Sequence, residues 1–309
     1  MRTSTKIIRL GTVVPAGLAG IFVAIMGLGF LPGAGLVVAF AGTLLVSLVL
    51  ATGCWEAPAA RVLGFARGLR AEETAALAPA RALLEVLELA PGRVLIRSTD
   101  AGGLLATPIG RRTVVVEPGL VQALYERRLS REDAAAVIGH AVASQRVGPS
   151  RFDLAARLWA FPWTLLYVGV RQVARAFSWV PAAGFAWQMR IVLGVVVVAQ
   201  GFQPDGDPIL GVVAGALVAI SYIAPAADRH WRAVVERDAD RIVALAGLAG
   251  SLADYARWQL GPDSMRRVHR ISVAADERKQ ARAQAAALPE PPQESPVEWW
   301  GLGVNGGAA

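Results

Sequence analysis

Residues 10–31, LGTVVPAGLAGIFVAIMGLGFL, and residues 34–54, AGLVVAFAGTLLVSLVLATGC, carry no charged side chain. Each is long enough to cross a hydrocarbon core of about 30 Å as a helix rising about 1.5 Å per residue. Pro32-Gly33 between them reads as a tight turn, and Arg2, Lys6 and Arg9 stand before the first run. A secretory signal would be shorter and would end at a small-residue cleavage site. A second apolar run following at once is the pattern of a retained transmembrane hairpin. The composition agrees. The 309 residues are 54% hydrophobic and 18% charged, with a mean hydropathy of +0.45, whereas soluble domains carry about 25% charged residues. A single cysteine, Cys54, excludes a disulfide framework and a cysteine-rich zinc site, and reads as a small apolar filler.

A second apolar block spans 191–227 and is split by the polar turn Gln203-Pro204-Asp205-Gly206-Asp207-Pro208. Its second half, 209–227, is a clear span. Gly211 and Gly215 there form a small-xxx-small pair that allows close helix approach. The first half needs residues 186–190 to complete a crossing, with Arg190 reaching to the interface. Residues 158–170 are apolar but short, contain Pro162 and are bounded by Arg157, Arg171 and Arg175. They read as a helix at the interface or on the soluble part, with a fifth span as the competing reading. Basic residues flank the inner ends of the spans, and the two outer turns hold none, so the positive-inside rule puts both termini and the soluble parts in the cytoplasm of a multi-pass cell-membrane protein. The net charge of +7 then reflects topology and contact with the lipid bilayer. Scattered arginines without a stripe of stacking aromatics exclude a nucleic-acid partner.

Between the hairpins, 55–90 has helical spacing, 93–99 reads as a strand, and 104–107 and 113–117 read as two more around Ile109-Gly110-Arg111-Arg112. Residues 120–128 look helical. Ser130-Arg131-Glu132-Asp133 then opens a helix, with Ser130 as N-cap and Asp133 three residues on. It continues as Ala134-Ala135-Ala136-Val137-Ile138-Gly139-His140-Ala141-Val142-Ala143-Ser144-Gln145-Arg146 and stops at Gly148-Pro149. After the last span, residues 232–247 form another helix containing Glu236-Arg237-Asp238-Ala239-Asp240. The proline-rich stretch from 286 onward reads as a disordered tail.

In this order of parts the chain resembles the HtpX-like membrane zinc metallopeptidases, a family that includes the CAAX prenyl proteases. The resemblance runs over about 10–260. It rests on the hairpin before a small sheet, on Arg111-Arg112-Thr113-Val114-Val115-Val116-Glu117-Pro118-Gly119-Leu120, on the helix containing His140, and on Glu236-Arg237-Asp238-Ala239-Asp240 at the family's E-x-x-A-D. The family's H-E-x-x-H places two histidines one turn apart on a zinc ion, with the intervening glutamate as general base and a later glutamate as third ligand. The resemblance implies that His140 and Glu236 are residual zinc ligands and that Asp240 is an acid orienting a ligand. It also implies that the strands with Leu104, Leu105, Val114 and Val115 pair with extended peptides. The pattern departs at two positions: Ala141 replaces the base and Ser144 the second histidine. No catalytic residue is retained, and loss of a general base alone lowers rates by about 10²–10⁴. His230 faces away from Glu236 round the same helix, and His269 lies in a basic segment. G-x-S-x-G, P-loop and dinucleotide-binding patterns are absent.

The expected architecture is mostly α: a four-span helical membrane protein with a cytoplasmic α+β zincin-like domain carrying a small sheet. Its parts are a transmembrane hairpin (1–54), the first part of the zincin-like domain (55–157), an interfacial segment (158–185), a second hairpin (186–227), the second part of the domain (228–285) and a tail (286–309). The expected function is that of a pseudopeptidase binding peptide or membrane-protein clients in quality control. An active zinc endopeptidase with a non-standard site and a structural membrane subunit remain open. Restoring the motif with Ala141→Glu and Ser144→His is expected to recover zinc.

Overall fold

The computed structural model describes residues 3–29, 33–53, 55–90, 94–99, 105–148, 153–176, 181–204, 206–258 and 264–287. In chain order its elements are α1 (Thr3–Leu28), α2 (Gly33–Thr52), α3 (Glu56–Leu63), β1 (Ala66–Arg67), α4 (Ala71–Val86), β2 (Leu95–Thr99), β3 (Ala106–Ile109), β4 (Thr113–Val116), α5 (Pro118–Tyr125), α6 (Arg131–Val147), α7 (Asp153–Ala176), α8 (Pro181–Gly201), α9 (Pro208–Val243), α10 (Ala249–Trp258) and α11 (Ser264–Ala287). The chain is mostly helical, with one small mixed sheet. Among the described residues two helices are long and apolar enough to cross a membrane: α2, and the helix running through Gly211–Trp258. The apolar part of the latter ends before Asp228. Along α2, Val37, Val38, Leu45 and Leu48 all point outward, a surface that a bilayer solvates and water does not.

Close backbone contacts join these helices. A Cβ on Gly20 of α1 would stand 1.9 Å from the carbonyl oxygen of Trp159 in α7. The Trp159 ring also meets Phe40 of α2, with centroids 5.4 Å apart. The helix that opens the 158–185 segment therefore begins at Asp153 and packs on α1 and α2. Helices α8 and α9 form a hairpin in which Gly211 lies against Gly201, the close approach that small residues permit.

The sheet has the order β1-β2-β4-β3. β2 and β4 are parallel, and the two outer pairs are antiparallel. Arg111 and Arg112 turn the β3–β4 hairpin with Gly110 at φ +68°. Their backbone N–H groups donate to Oε1 and Oε2 of Glu56, each at 3.0 Å. Glu56 is buried and opens α3 just beyond the end of α2, so one carboxylate fixes the sheet to the exit of that helix. On the opposite face, Val114 and Val116 join Leu84, Leu120, Ile138, Val243, Leu252 and Ile271 in the main core.

Helix α6 runs through this core, and its alanine-rich stretch lets strands and helices approach on all sides. Its start follows the capping rule: Ser130 Oγ accepts from Asp133 N, and Asp133 Oδ2 accepts from Ser130 N. Ser130→Ala is expected to lower stability by about 1 kcal/mol, and Ser130→Gly by clearly less, as read by chemical denaturation. After Val243 the helix passes through a wide turn, Ala244–Leu248, in which Gly247 adopts φ +108°. That left-handed geometry favours glycine, and α10 and α11 fold back from it against α6 and α9.

Candidate functional site

Of residues 134–145 on α6, only His140 is not buried. It points toward α9, where residues 236 and 240 lie one turn apart on the same face. Nδ1 of His140 is 3.0 Å from Oδ1 of Asp240, an ion-pair distance without hydrogen-bond alignment. Asp240 is 2% exposed. The fold thus unites residues singled out in the sequence, although helices α7 and α8 separate them along the chain.

The centre of the cluster is a residue that no motif reading selects. Arg267, on the first turn of α11, is 6% exposed. It grips Asp240 with both prongs, Nε donating to Oδ2 at 3.0 Å and Nη2 to Oδ1 at 2.8 Å. The same Nε lies 3.3 Å from Oε1 of Glu236. One turn further along α11, Arg270 approaches that oxygen at 3.6 Å. Burial pushes the Asp240 carboxyl up, but the nearby His140 and the two hydrogen bonds and charge of Arg267 outweigh it and hold the acid below its ordinary range. Burial likewise opposes the charge on Arg267, and the Asp240 carboxylate more than compensates. Two carboxylates and two guanidiniums form a charge-balanced network in which Asp240 and Arg267 are buried and Glu236 and Arg270 are part-exposed. A solvated pairing of Glu236 and Asp240 with Arg232, Arg237 or Arg241 is not what forms: Arg232 pairs with Asp228, and Arg241 with Glu277.

The residues present do not fit a zinc ion. Ser144, at the lost histidine position, is buried and donates its hydroxyl to the carbonyl of His140 at 2.8 Å, so its oxygen serves its own helix. Both oxygens of Asp240 are engaged by Arg267. Among the described residues no group of three His, Cys, Asp or Glu side chains is disposed to hold a metal ion. His230 and His269 are both exposed. Ala141 is fully buried in the main core, so a glutamate placed there would enter apolar packing. In the Ala141→Glu, Ser144→His variant Arg267 would still engage both oxygens of Asp240 and compete with an incoming cation.

The expected peptide-binding strands divide in the structure. β4, with Val114 and Val115, is an inner strand bonded to β2 on one side and β3 on the other, and both valines are buried. It has no free edge to offer, because the parallel partner β2 occupies it. Of the two expected strands, β3 is the one at a sheet edge, and it runs beside α6. Leu105 is exposed just before it, and Leu104 lies outside the described residues. Glu117 N donates to Leu105 O. With the register of Ala106 opposite Val116, the antiparallel alternation turns the N–H and C=O of Ala106 and the C=O of Pro108 to the free side. Pro108 has no N–H to leave unpaired, which suits an edge strand.

No family model, curated protein or solved structure matches this chain. Arg267 nonetheless leaves a trace in the sequence. It shares a face with Ile271 and Ala274 at helical spacing, so it occupies a core position of α11, and a core arginine requires a buried acid.

Proposed function

We propose that this chain is a non-catalytic relative of the HtpX-like membrane metallopeptidases. It is a four-span protein with both termini in the cytoplasm, and it binds extended segments of peptide or membrane-protein clients in quality control. The observation that carries this reading is the Arg267–Asp240–His140 cluster. A guanidinium stands among the residues inherited from the zinc motif, and the base and second histidine are gone. The order of parts supports the ancestry, with α6 and α9 meeting at the positions that the two motifs name. The outward N–H and C=O groups of β3 support the binding role, since main-chain pairing at a sheet edge needs no catalytic group. A structural subunit is the second reading, favoured by the burial of the Arg267–Asp240 pair between α11 and α9.

The test uses the purified full chain in detergent micelles and a fluorescein-labelled, unstructured apolar peptide. Binding read by anisotropy is expected for the wild type. Ala106→Pro removes the outward donor and is expected to weaken binding about five- to tenfold, with helicity and melting unchanged. Absence of binding to the wild type, or identical binding by Ala106→Pro, would refute pairing at β3 and favour the structural reading.

A further inference from the structure

We infer that α3 and the β3–β4 turn form a docking surface for anionic phospholipids of the leaflet in which α2 ends. Trp55, Val62 and Phe65 lie among the lipids, and Arg61, Arg111 and Arg112 bind their phosphates. The inference rests on reading α2 as a membrane span, and it does not depend on peptide binding at β3 or on the Arg267 cluster.

Connectivity is the first argument. The apolar helix α2 ends at Thr52, Gly53 turns the chain at φ +80°, and α3 opens at Glu56. Three residues reach at most about 11 Å, so Trp55 stands within that distance of the end of the span. The sheet is held at the same level. Leu50 of α2 and Leu154 of α7 are buried in one small core with Ala59 and Ala60 of α3, and with Ile109 and Val115 of the β3–β4 hairpin.

The outer face of α3 is the second argument. Glu56, Ala59 and Ala60 are buried on one side of the helix, whereas Trp55, Pro58 and Val62 follow at i, i+3 and i+7 and are exposed. Apolar side chains at helical spacing on an outward face, with Arg61 exposed beside them, are the pattern of an interfacial helix. Tryptophan at the end of a span is the aromatic that favours the headgroup level. Phe65, just past the helix, is 73% exposed and has φ +48°, a conformation that strains a bulky residue. The strain presents a phenyl ring outward with little burial to offset it, and immersion in lipid supplies the offset.

Charge is the third. The backbone N–H groups of Arg111 and Arg112 are fixed on Glu56 at the start of α3, so their side chains leave the fold beside the exit of α2. Both side chains are exposed, as is that of Arg61, and among the described residues no carboxylate pairs with any of the three. Glu56 itself is buried and engaged by backbone donors. Three unneutralised guanidiniums around one span exit complement a layer of anionic phosphates, which a guanidinium binds through two parallel hydrogen bonds. Arg111 and Arg112 lie far beyond α2 in the sequence, so only the fold brings them to this place.

The experiment uses the full-length protein in detergent micelles containing phosphatidylglycerol and phosphatidylcholine in equal amounts. Native mass spectrometry counts the lipid that each chain retains. The wild type is expected to retain phosphatidylglycerol in preference. Arg111→Ala with Arg112→Ala is expected to lower that preference about 25-fold, at about fivefold per arginine near an anionic surface. Arg111→Lys with Arg112→Lys keeps both charges and should keep most of the preference. Inorganic phosphate at matched concentration should not displace the lipid, because it lacks the acyl chains among which α3 lies. For α3, Phe65→Cys in a Cys54→Ser background carries an environment-sensitive fluorophore in vesicles of the same two lipids. Its emission should be quenched by nitroxide-labelled lipid and shielded from iodide.

The wild-type arm requires no variant to fold: equal retention of the two lipids by the wild type would overturn the inference. So would a preference left unchanged by the double alanine variant, displacement of the lipid by free phosphate, or a label at position 65 quenched by iodide and not by lipid. Washing the vesicles with alkaline carbonate tests the span itself. A chain that is stripped refutes the spanning reading and this inference with it, whereas a chain that stays and shows no lipid preference refutes this inference alone.

Discussion

Asp240→Ala is expected to lower the unfolding free energy by about 3–5 kcal/mol, because it takes from the buried Arg267 guanidinium the carboxylate that accepts two of its hydrogen bonds. At about 2–4 °C per kcal/mol for a domain of this size, the loss is large enough to read as a shift in melting temperature. Replacing both partners, Asp240→Leu with Arg267→Met, is expected to return the protein to wild-type stability or above, since a buried ion pair can often be exchanged for apolar side chains without net cost. The pattern of a costly single and a harmless double separates a desolvated pair from a surface one, where each single change would cost about 0–1 kcal/mol. Denaturant unfolding in mixed micelles, followed by circular dichroism, measures all three. An Asp240→Ala variant as stable as the wild type would mean that the pair contributes nothing to folding.

The second large effect belongs to Glu56. Its two oxygens satisfy the N–H groups of Arg111 and Arg112, and no water takes their place easily at a side chain of a residue only 6% exposed. Leaving a buried donor unsatisfied costs about 1–3 kcal/mol, and because these two bonds are part-buried Glu56→Ala is expected to cost about 1–3 kcal/mol in all. Glu56→Gln should lie between, because its amide places an N–H₂ group against one of the donors. Hydrogen exchange reads the effect locally: the amides of residues 111 and 112 should lose protection before the rest of the sheet. Unchanged protection would show that the turn is held by its own geometry and not by the carboxylate. The consequence reaches the candidate binding edge, since β3 enters this turn.

How much of this is legible in the sequence follows from the range of the interactions. The α6 helix and its Ser130 cap are readable because capping is local, fixed by residues three apart. The apolar runs of α2 and α9 are readable because a hydrocarbon solvent demands length and lack of charge, which composition alone records. The meeting of His140 with Asp240 is anticipated only through the resemblance. β1 escapes a sequence reading because two residues, Ala66 and Arg67, carry no periodicity. β3 runs on to Ile109, two residues past the end the sequence suggests, because Pro108, an unfavourable strand residue in isolation, is tolerated once it lies at an edge. Most of all, Arg267 escapes because its role depends on a partner 27 positions away and on the reversal at Gly247, neither of which leaves a short motif. The helix that carries it reads only as a basic segment, since charged side chains mask its apolar stripe of Ile271 and Ala274.

The central claim is that Arg267 of α11 is the cation that binds the two carboxylates of α9, Asp240 and Glu236, beside His140 of α6. Crystals of the wild-type protein soaked in zinc, with diffraction recorded on both sides of the zinc absorption edge, test it most directly. The account predicts guanidinium density bridging Asp240 and Glu236 and no anomalous peak beside His140. A zinc peak coordinated by His140 and Glu236, with Arg267 displaced, would contradict it.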